Sequence, residues 1–224
     1  MGHCLRAENI TKRVGRKEIL HEISLELIGG NIYGFIGENG SGKTMLFRTL
    51  SGLVRPTRGR VLLDGKDIYR ERKNVKVGVI IENAAMWPEL TGIENLLFLS
   101  SLNHCISYKA VRSTMERVGL DPDNKLSVKK YSLGMKQRLN IAQAVMERPD
   151  FLFLDEPTNA IDKDGIVLIR QIIFEEAKRG AVVLLASHIS QDISELCTEV
   201  YGMESGACMQ IGRKKDAEKA DFFY

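Results

Sequence analysis

Eight consecutive residues, Gly37-Glu38-Asn39-Gly40-Ser41-Gly42-Lys43-Thr44, set three glycines, a lysine and a final hydroxyl in an order suited to phosphate. Glycines let the backbone curl without a Cβ in the way. The N–H groups of such a loop, and the start of the helix after it, then face the β- and γ-phosphates of a nucleotide. Lys43 supplies a point charge to those phosphates, and Thr44 is placed to ligate magnesium. The short apolar run Ile32–Ile36 precedes the loop and a helical pattern from Thr44 to Leu50 follows it, as the P-loop mechanism requires. A glycine turn with a chance lysine does not account for that context. The loop implies nucleotide binding and leaves open what the nucleotide is used for.

A second constellation is Phe151-Leu152-Phe153-Leu154-Asp155-Glu156, an apolar strand ending in two carboxylates. Adjacent acids at a strand end with no neighbouring cation are costly unless a metal compensates them. Asp155 would join a magnesium shell, and Glu156, one residue on, could polarise an attacking water. A solvated pair of acids on a loop is the alternative, and the phosphate loop upstream argues against it. His188 closes a third apolar run, Ala181–Ser187. A neutral imidazole there could hydrogen-bond a γ-phosphate oxygen, although residue type alone leaves a structural role equally open. His3, His21 and His104 have no such context and are expected at the surface.

The elements that must position these groups can be read in order. Ile23–Leu27 alternates as a half-buried strand does, and Gly29-Gly30 ends it. Val61–Leu63 and a segment around Ile68 flank Asp64-Gly65, a hairpin signal. Val77–Ile81 is another apolar strand. Thr91-Gly92-Ile93-Glu94 fits a capping box at a helix start. Val111, Met115 and Val118 recur at helical spacing before Gly119, and a further helix fits Leu133–Met146, ended by Pro149. Strand Phe151–Leu154, a helix from Asp164 to Arg179 and strand Ala181–Ser187 follow. Two short strands around Gly202 and Met209, with Ser205-Gly206 between them, close the series. The order predicts an α/β fold in one domain over residues 1–224, its core interrupted by a helical insert at about 83–148.

Composition sets the outer bounds. The chain has 224 residues, a net charge of +3, 44% apolar and 27% charged residues, an ordinary globular composition. That argues against collagen, extensive disorder or a cysteine scaffold, and +3 is too slight to argue for nucleic acid. No apolar run approaches the roughly 20 residues of a membrane helix. The N-terminus lacks the apolar core of a secretory signal, and Arg6 makes Gly2 a poor myristoylation site. Cys4, Cys105, Cys197 and Cys208 are scattered without a CxxC, so reduced thiols in the cytoplasm are expected.

Tyr131-Ser132-Leu133-Gly134-Met135-Lys136-Gln137-Arg138 resembles the signature motif of the nucleotide-binding domain of ABC transporters. With the phosphate loop, the acidic pair, Asn159-Ala160-Ile161-Asp162 as a D-loop and His188 as the switch histidine, the resemblance runs from about Leu5 to Ile211. It implies the ABC ATPase fold, a P-loop NTPase core with an antiparallel β subdomain and a helical insert. It implies ATP and Mg2+ as cofactors, Thr44, Asp155 and Glu82 at the metal, and Glu156 and His188 in catalysis. It also implies a second nucleotide-binding domain in a head-to-tail dimer, in which Ser132 and Gly134 reach the γ-phosphate held by the partner's loop. Transmembrane permease subunits would supply the missing span, with this chain at the inner face of the cell membrane and Trp87-Pro88 as a contact.

Several positions depart from the family pattern. Val14 stands where an adenine-stacking aromatic is usual, Leu133 and Met135 alter the signature, and Glu82 replaces the Q-loop glutamine. Glu82 together with the signature resembles the bacitracin- and lantibiotic-type export and self-protection subfamily. A soluble ABC-type ATPase and a non-hydrolysing regulatory subunit are the rival readings. The tail Arg213–Tyr224 mixes both charges and is expected to be a frayed, solvated end.

Overall fold

A computed structural model describes residues 2–71, 75–81, 86–103 and 106–213. Glu82, His104, Cys105 and residues 214–224 of the tail lie outside the described residues.

Two sheets organise the chain. Strands β1 (Cys4–Val14), β2 (Lys17–Ile28), β4 (Arg58–Leu63) and β5 (Lys66–Asp67) form an antiparallel sheet in the order β2-β1-β4-β5. The second sheet runs β10-β9-β3-β8-β7-β6, from β3 (Ile32–Ile36), β6 (Val77–Ile80), β7 (Phe151–Asp155), β8 (Val182–Ala186), β9 (Glu199–Glu204) and β10 (Ala207–Arg213). All its pairings are parallel except β9 with β10. The central strands β7 and β8 are apolar runs buried on both faces, as parallel strands covered on both sides must be.

Strand parity assigns the faces. Phe151, Phe153, Val182 and Leu184 pack with Phe35, with Phe47 of helix α1 (Lys43–Leu50), and with Leu5, Ile10, Leu20 and Leu27 of the antiparallel sheet. Helix α1 therefore lies between the two sheets, with Phe47 edge-on to Phe35 at 5.3 Å and to Phe153 at 6.1 Å between ring centroids. Leu152, Leu154, Val183 and Leu185 face the other way. They meet helices α2 (Gly92–Asn103), α3 (Tyr108–Arg117), α4 (Leu133–Val145), α5 (Lys163–Lys178) and α6 (Ser190–Leu196). The inserted helices thus share one continuous apolar core with the sheet: Leu96, Val111, Met115 and Leu139 belong to the same cluster as Leu152 and Ile169. No helix among the described residues is long and apolar enough to cross a membrane.

Local chemistry explains the ends of the elements. Thr91 and Glu94 form the expected capping box, Thr91 N–H and Oγ1 each 2.8 Å from Glu94 Oε2 and Glu94 N–H 3.3 Å from Thr91 Oγ1. Asp64-Gly65 and Ser205-Gly206 both take positive φ at both residues (50° and 78°, 46° and 85°), the geometry of tight hairpins. Ser107 caps α3 by accepting from Ala110 N–H. Replacing Ser107 by Ala is expected to cost about 1 kcal/mol of folding free energy, read as a lower urea midpoint at unchanged slope.

The structure adds two elements that the sequence pattern hides. Strand β1 carries register shifts between Ala7 and Ile10 against β2, with Asn9 at φ 49°, so its apolar residues lose the period of two. Helix α6 is seven residues long and offers too few turns for a periodic signal. Strand β8 ends at Ala186, so His188 stands two residues beyond it rather than closing the strand. His3 is also more engaged than expected: its Nδ1 is 2.8 Å from Asp64 Oδ2, its Nε2 is 3.2 Å from Asp150 Oδ1, and its ring meets Phe151 edge-on. None of the described cysteines, Cys4, Cys197 and Cys208, is in a disulfide.

Candidate active site

The loop after β3 has the left-handed backbone its glycines allow, with φ of 151° at Gly37, 83° at Gly40 and 108° at Gly42, the N-cap of α1. No acidic residue occupies the first turn of α1, so its N-terminus is open to an anion. Ser41 N–H donates to Glu38 O at 3.1 Å, and Lys43 Nζ folds over the loop to Gly37 O (2.6 Å) and Glu38 O (3.0 Å). Ser41 is buried, and among the described residues its Oγ is the buried side-chain polar atom that lacks a hydrogen-bond partner. A donor left unpaired inside a loop of backbone N–H groups fits a phosphate oxygen as its partner. The turn between β9 and β10 supports the loop from behind: Gly206 N–H donates to Ser41 O at 2.9 Å, and a Cβ on Gly37 would meet Met203 O.

Asp155 continues the face of β7 that holds Phe151 and Phe153 and therefore points at α1. Thr44 Oγ1 donates to Asp155 Oδ2 at 2.7 Å. This hydroxyl–carboxylate pair suits a hard cation that takes its remaining ligands from phosphate and water. Among the described residues no group of three or more His, Cys, Asp or Glu could form an all-protein metal cage.

Glu156 leaves the strand at φ 52°, a left-handed conformation unusual for a residue with a side chain. Hydrogen bonds to its backbone and to that of Pro157 hold it there. Its N–H donates to Ala186 O at 2.9 Å, and Gln137 Nε2 of α4 donates to Glu156 O (3.2 Å) and Pro157 O (3.0 Å). The carboxylate thereby faces His188, whose N–H is 3.1 Å from Glu156 Oε1 and whose Nδ1 is 2.8 Å from Oε2. The imidazole is exposed and the carboxylate partly buried, so the pair opens to solvent where a ligand would arrive. With Nδ1 turned to Glu156, Nε2 is the ring nitrogen left to meet a second group.

The signature residues lie apart from this constellation. Ser132 caps α4, its Oγ accepting from Met135 N–H at 3.1 Å, and Leu133 beside it is 65% exposed. Gly134 sits close against the next loop, where an added Cβ would be 3.0 Å from Ala160 O. Arg138 of the same helix reaches Asp162 at 2.5 Å and holds that carboxyl below the usual carboxylate range. Among the described residues no hydrogen bond joins Ser132 or Gly134 to residues 37–44. Val14 ends β1 with 53% of its surface exposed, and the metal expectation for Glu82 falls outside the described residues. Sequence reasoning missed Gln137 as a support of Glu156, since an amide on a helix carries no signal of its target.

Comparison with known proteins adds four findings. A family model described as ABC transporter matches residues 20–159. An uncharacterised ABC transporter ATP-binding protein of Bacillus subtilis, YybJ, is 45% identical over 88% of this chain and 91% of that protein. The bacitracin transport ATP-binding protein BcrA of Bacillus licheniformis is 35% identical over 94% of this chain and 70% of that protein. A solved ATP-binding cassette, a dimer in a post-hydrolysis state bound to ADP and Pi, is similar in fold, with a TM-score of 0.85 at 20% identity over 94% of this chain and 98% of that one.

Proposed function

The chain belongs to the ABC transporter family as an ATP-binding subunit, and on that premise we propose that it is the ATP-hydrolysing motor of an exporter that expels antimicrobial peptides of the bacitracin and lantibiotic kind. The observation that carries hydrolysis is the Glu156 carboxylate, fixed by His188 one residue beyond the Asp155 that meets Thr44. The resemblance to BcrA carries the export reading.

The mechanism follows from the residues. The loop amides, Ser41 Oγ and Lys43 hold the β- and γ-phosphates of ATP, with Lys43 exchanging its loop carbonyls for phosphate oxygens. Thr44 and Asp155, with Glu82, would hold Mg2+, which when bound neutralises phosphate charge. Glu156 takes a proton from water, the water oxygen bonds to the γ-phosphorus, and the bond to the β–γ bridging oxygen breaks to release ADP. His188 stabilises charge on the γ-phosphate oxygens through its second ring nitrogen while Nδ1 keeps Glu156 oriented. The exposed N-terminus of α4, with Ser132 and Gly134, serves the ATP on a second copy or a related domain in a head-to-tail dimer. The permease would meet the Trp87–Phe98 pair. These rings lie edge-on at 4.4 Å and are each nearly half exposed, with Leu102 exposed beyond them.

The test is to purify the chain with a polytopic membrane protein encoded in its gene neighbourhood and reconstitute both in liposomes. ATP hydrolysis that rises when bacitracin is added is expected. Hydrolysis indifferent to bacitracin would remove the export reading, and its absence with and without the membrane protein would remove the motor reading.

A further inference from the structure

Asp192 is fully buried on the short helix α6, in a core that gains nothing from a charge. Its carboxylate is nonetheless saturated. Oδ2 accepts from Thr158 Oγ1 at 2.5 Å and from Ser187 Oγ at 3.2 Å, while Oδ1 accepts from Arg170 Nε at 2.8 Å and Nη2 at 2.6 Å. Arg170 in turn reaches Glu195 Oε2 at 2.6 Å. A buried ion pair of this kind is weak evidence for stability, because apolar replacements often do as well. Its use lies in what it joins. Thr158 is two residues after Glu156, and Ser187 immediately precedes His188. One carboxylate oxygen therefore ties together the two loops that carry the two members of the candidate catalytic pair.

We propose that Asp192 is a positioning residue for hydrolysis, holding the Thr158 and Ser187 hydroxyls so that His188 stays in register with Glu156. This rests on the reading of Glu156 and His188 given above. Arg170 anchors the carboxylate on α5 and compensates its charge, leaving the second oxygen to receive both hydroxyls. Side chains misplaced by about 1 Å can lose on the order of a hundredfold in rate, so two hydrogen bonds acting through such a pair have a measurable kinetic effect.

The test uses the full chain and two variants that keep the buried charge compensated: Thr158→Val with Ser187→Ala, which removes both donors, and Thr158→Ser as the conservative control. The double variant is expected to lower kcat about tenfold or more with KM for ATP within about twofold. Thr158→Ser should retain wild-type kcat. In a His188→Ala background the double variant should add little further loss, since the residue it orients is gone. Wild-type kcat in the double variant, or a full additional loss on top of His188→Ala, would overturn the proposal. Glu156→Gln is run beside them. If it hydrolyses normally, the reading of the pair itself fails. If it is inactive while the double variant is not, only the role of Asp192 fails.

Discussion

Glu156→Gln is expected to slow ATP hydrolysis by on the order of a hundredfold or more while ATP affinity stays within about a factor of two. Glutamine preserves shape and accepts a hydrogen bond from His188 N–H, now 3.1 Å from Oε1, so the loop should keep its geometry. It cannot accept a proton from water, so the step that generates the nucleophile is lost. The side chain lies off the Thr44–Asp155 pair, and phosphate binding therefore does not depend on it. Single-turnover hydrolysis and equilibrium binding of ATP, measured on one preparation, separate the two effects. Size-exclusion chromatography with ATP should show the variant accumulating as a dimer, because bound ATP is no longer consumed. A hydrolysis rate near wild type would exclude Glu156 as the base.

Gly37→Ala should act on the opposite half of the chemistry, weakening ATP binding at least about tenfold. At φ 151° an alanine is already strained, and its Cβ would be driven into Met203 O and to 2.9 Å from Ser41 Oγ. Neither the backbone of β9 nor the buried hydroxyl can give way cheaply, and overpacking of this kind costs about 1–3 kcal/mol. Displacing the loop also breaks the Gly206 N–H bond to Ser41 O. Gly40→Ala is the internal comparison: its φ is 83° but nothing lies within 4 Å of an added Cβ, so it bears the conformational cost alone. ATP binding by calorimetry should therefore fall further in Gly37→Ala than in Gly40→Ala. Equal losses would show that backbone conformation, not the contact with the β9–β10 turn, sets the requirement.

Much of this site is legible in one dimension because its chemistry is local. A phosphate loop is eight adjacent residues and the acidic pair directly follows an apolar run, so Thr44 and Asp155 are both assigned to magnesium by sequence alone. The supports were not legible. Gln137, Ser187, Thr158 and Asp192 act through bonds that span 5 to 34 positions, and each residue type is ordinary on its own. The burial of Asp192 is invisible in sequence because α6 is too short to show which face turns inward. Strand β1 escaped for a different reason, since its bulge moves apolar residues off the alternation that identifies a strand.

The place of β3 in its sheet bears on how the molecule is made. Its two neighbours are β8 and β9, and the loop it carries rests on the turn at Ser205-Gly206. Residues 37–44 emerge before residues 182–206, which supply both strands beside β3 and the turn under the loop. A ribosome-bound intermediate thus carries the phosphate-loop sequence without a phosphate site, and pairings of such long range are slow to form. Nucleotide can engage only molecules that have closed this late pairing, and by mass action it then stabilises them against reopening. Occupancy by ATP thereby distinguishes finished subunits from unfinished ones.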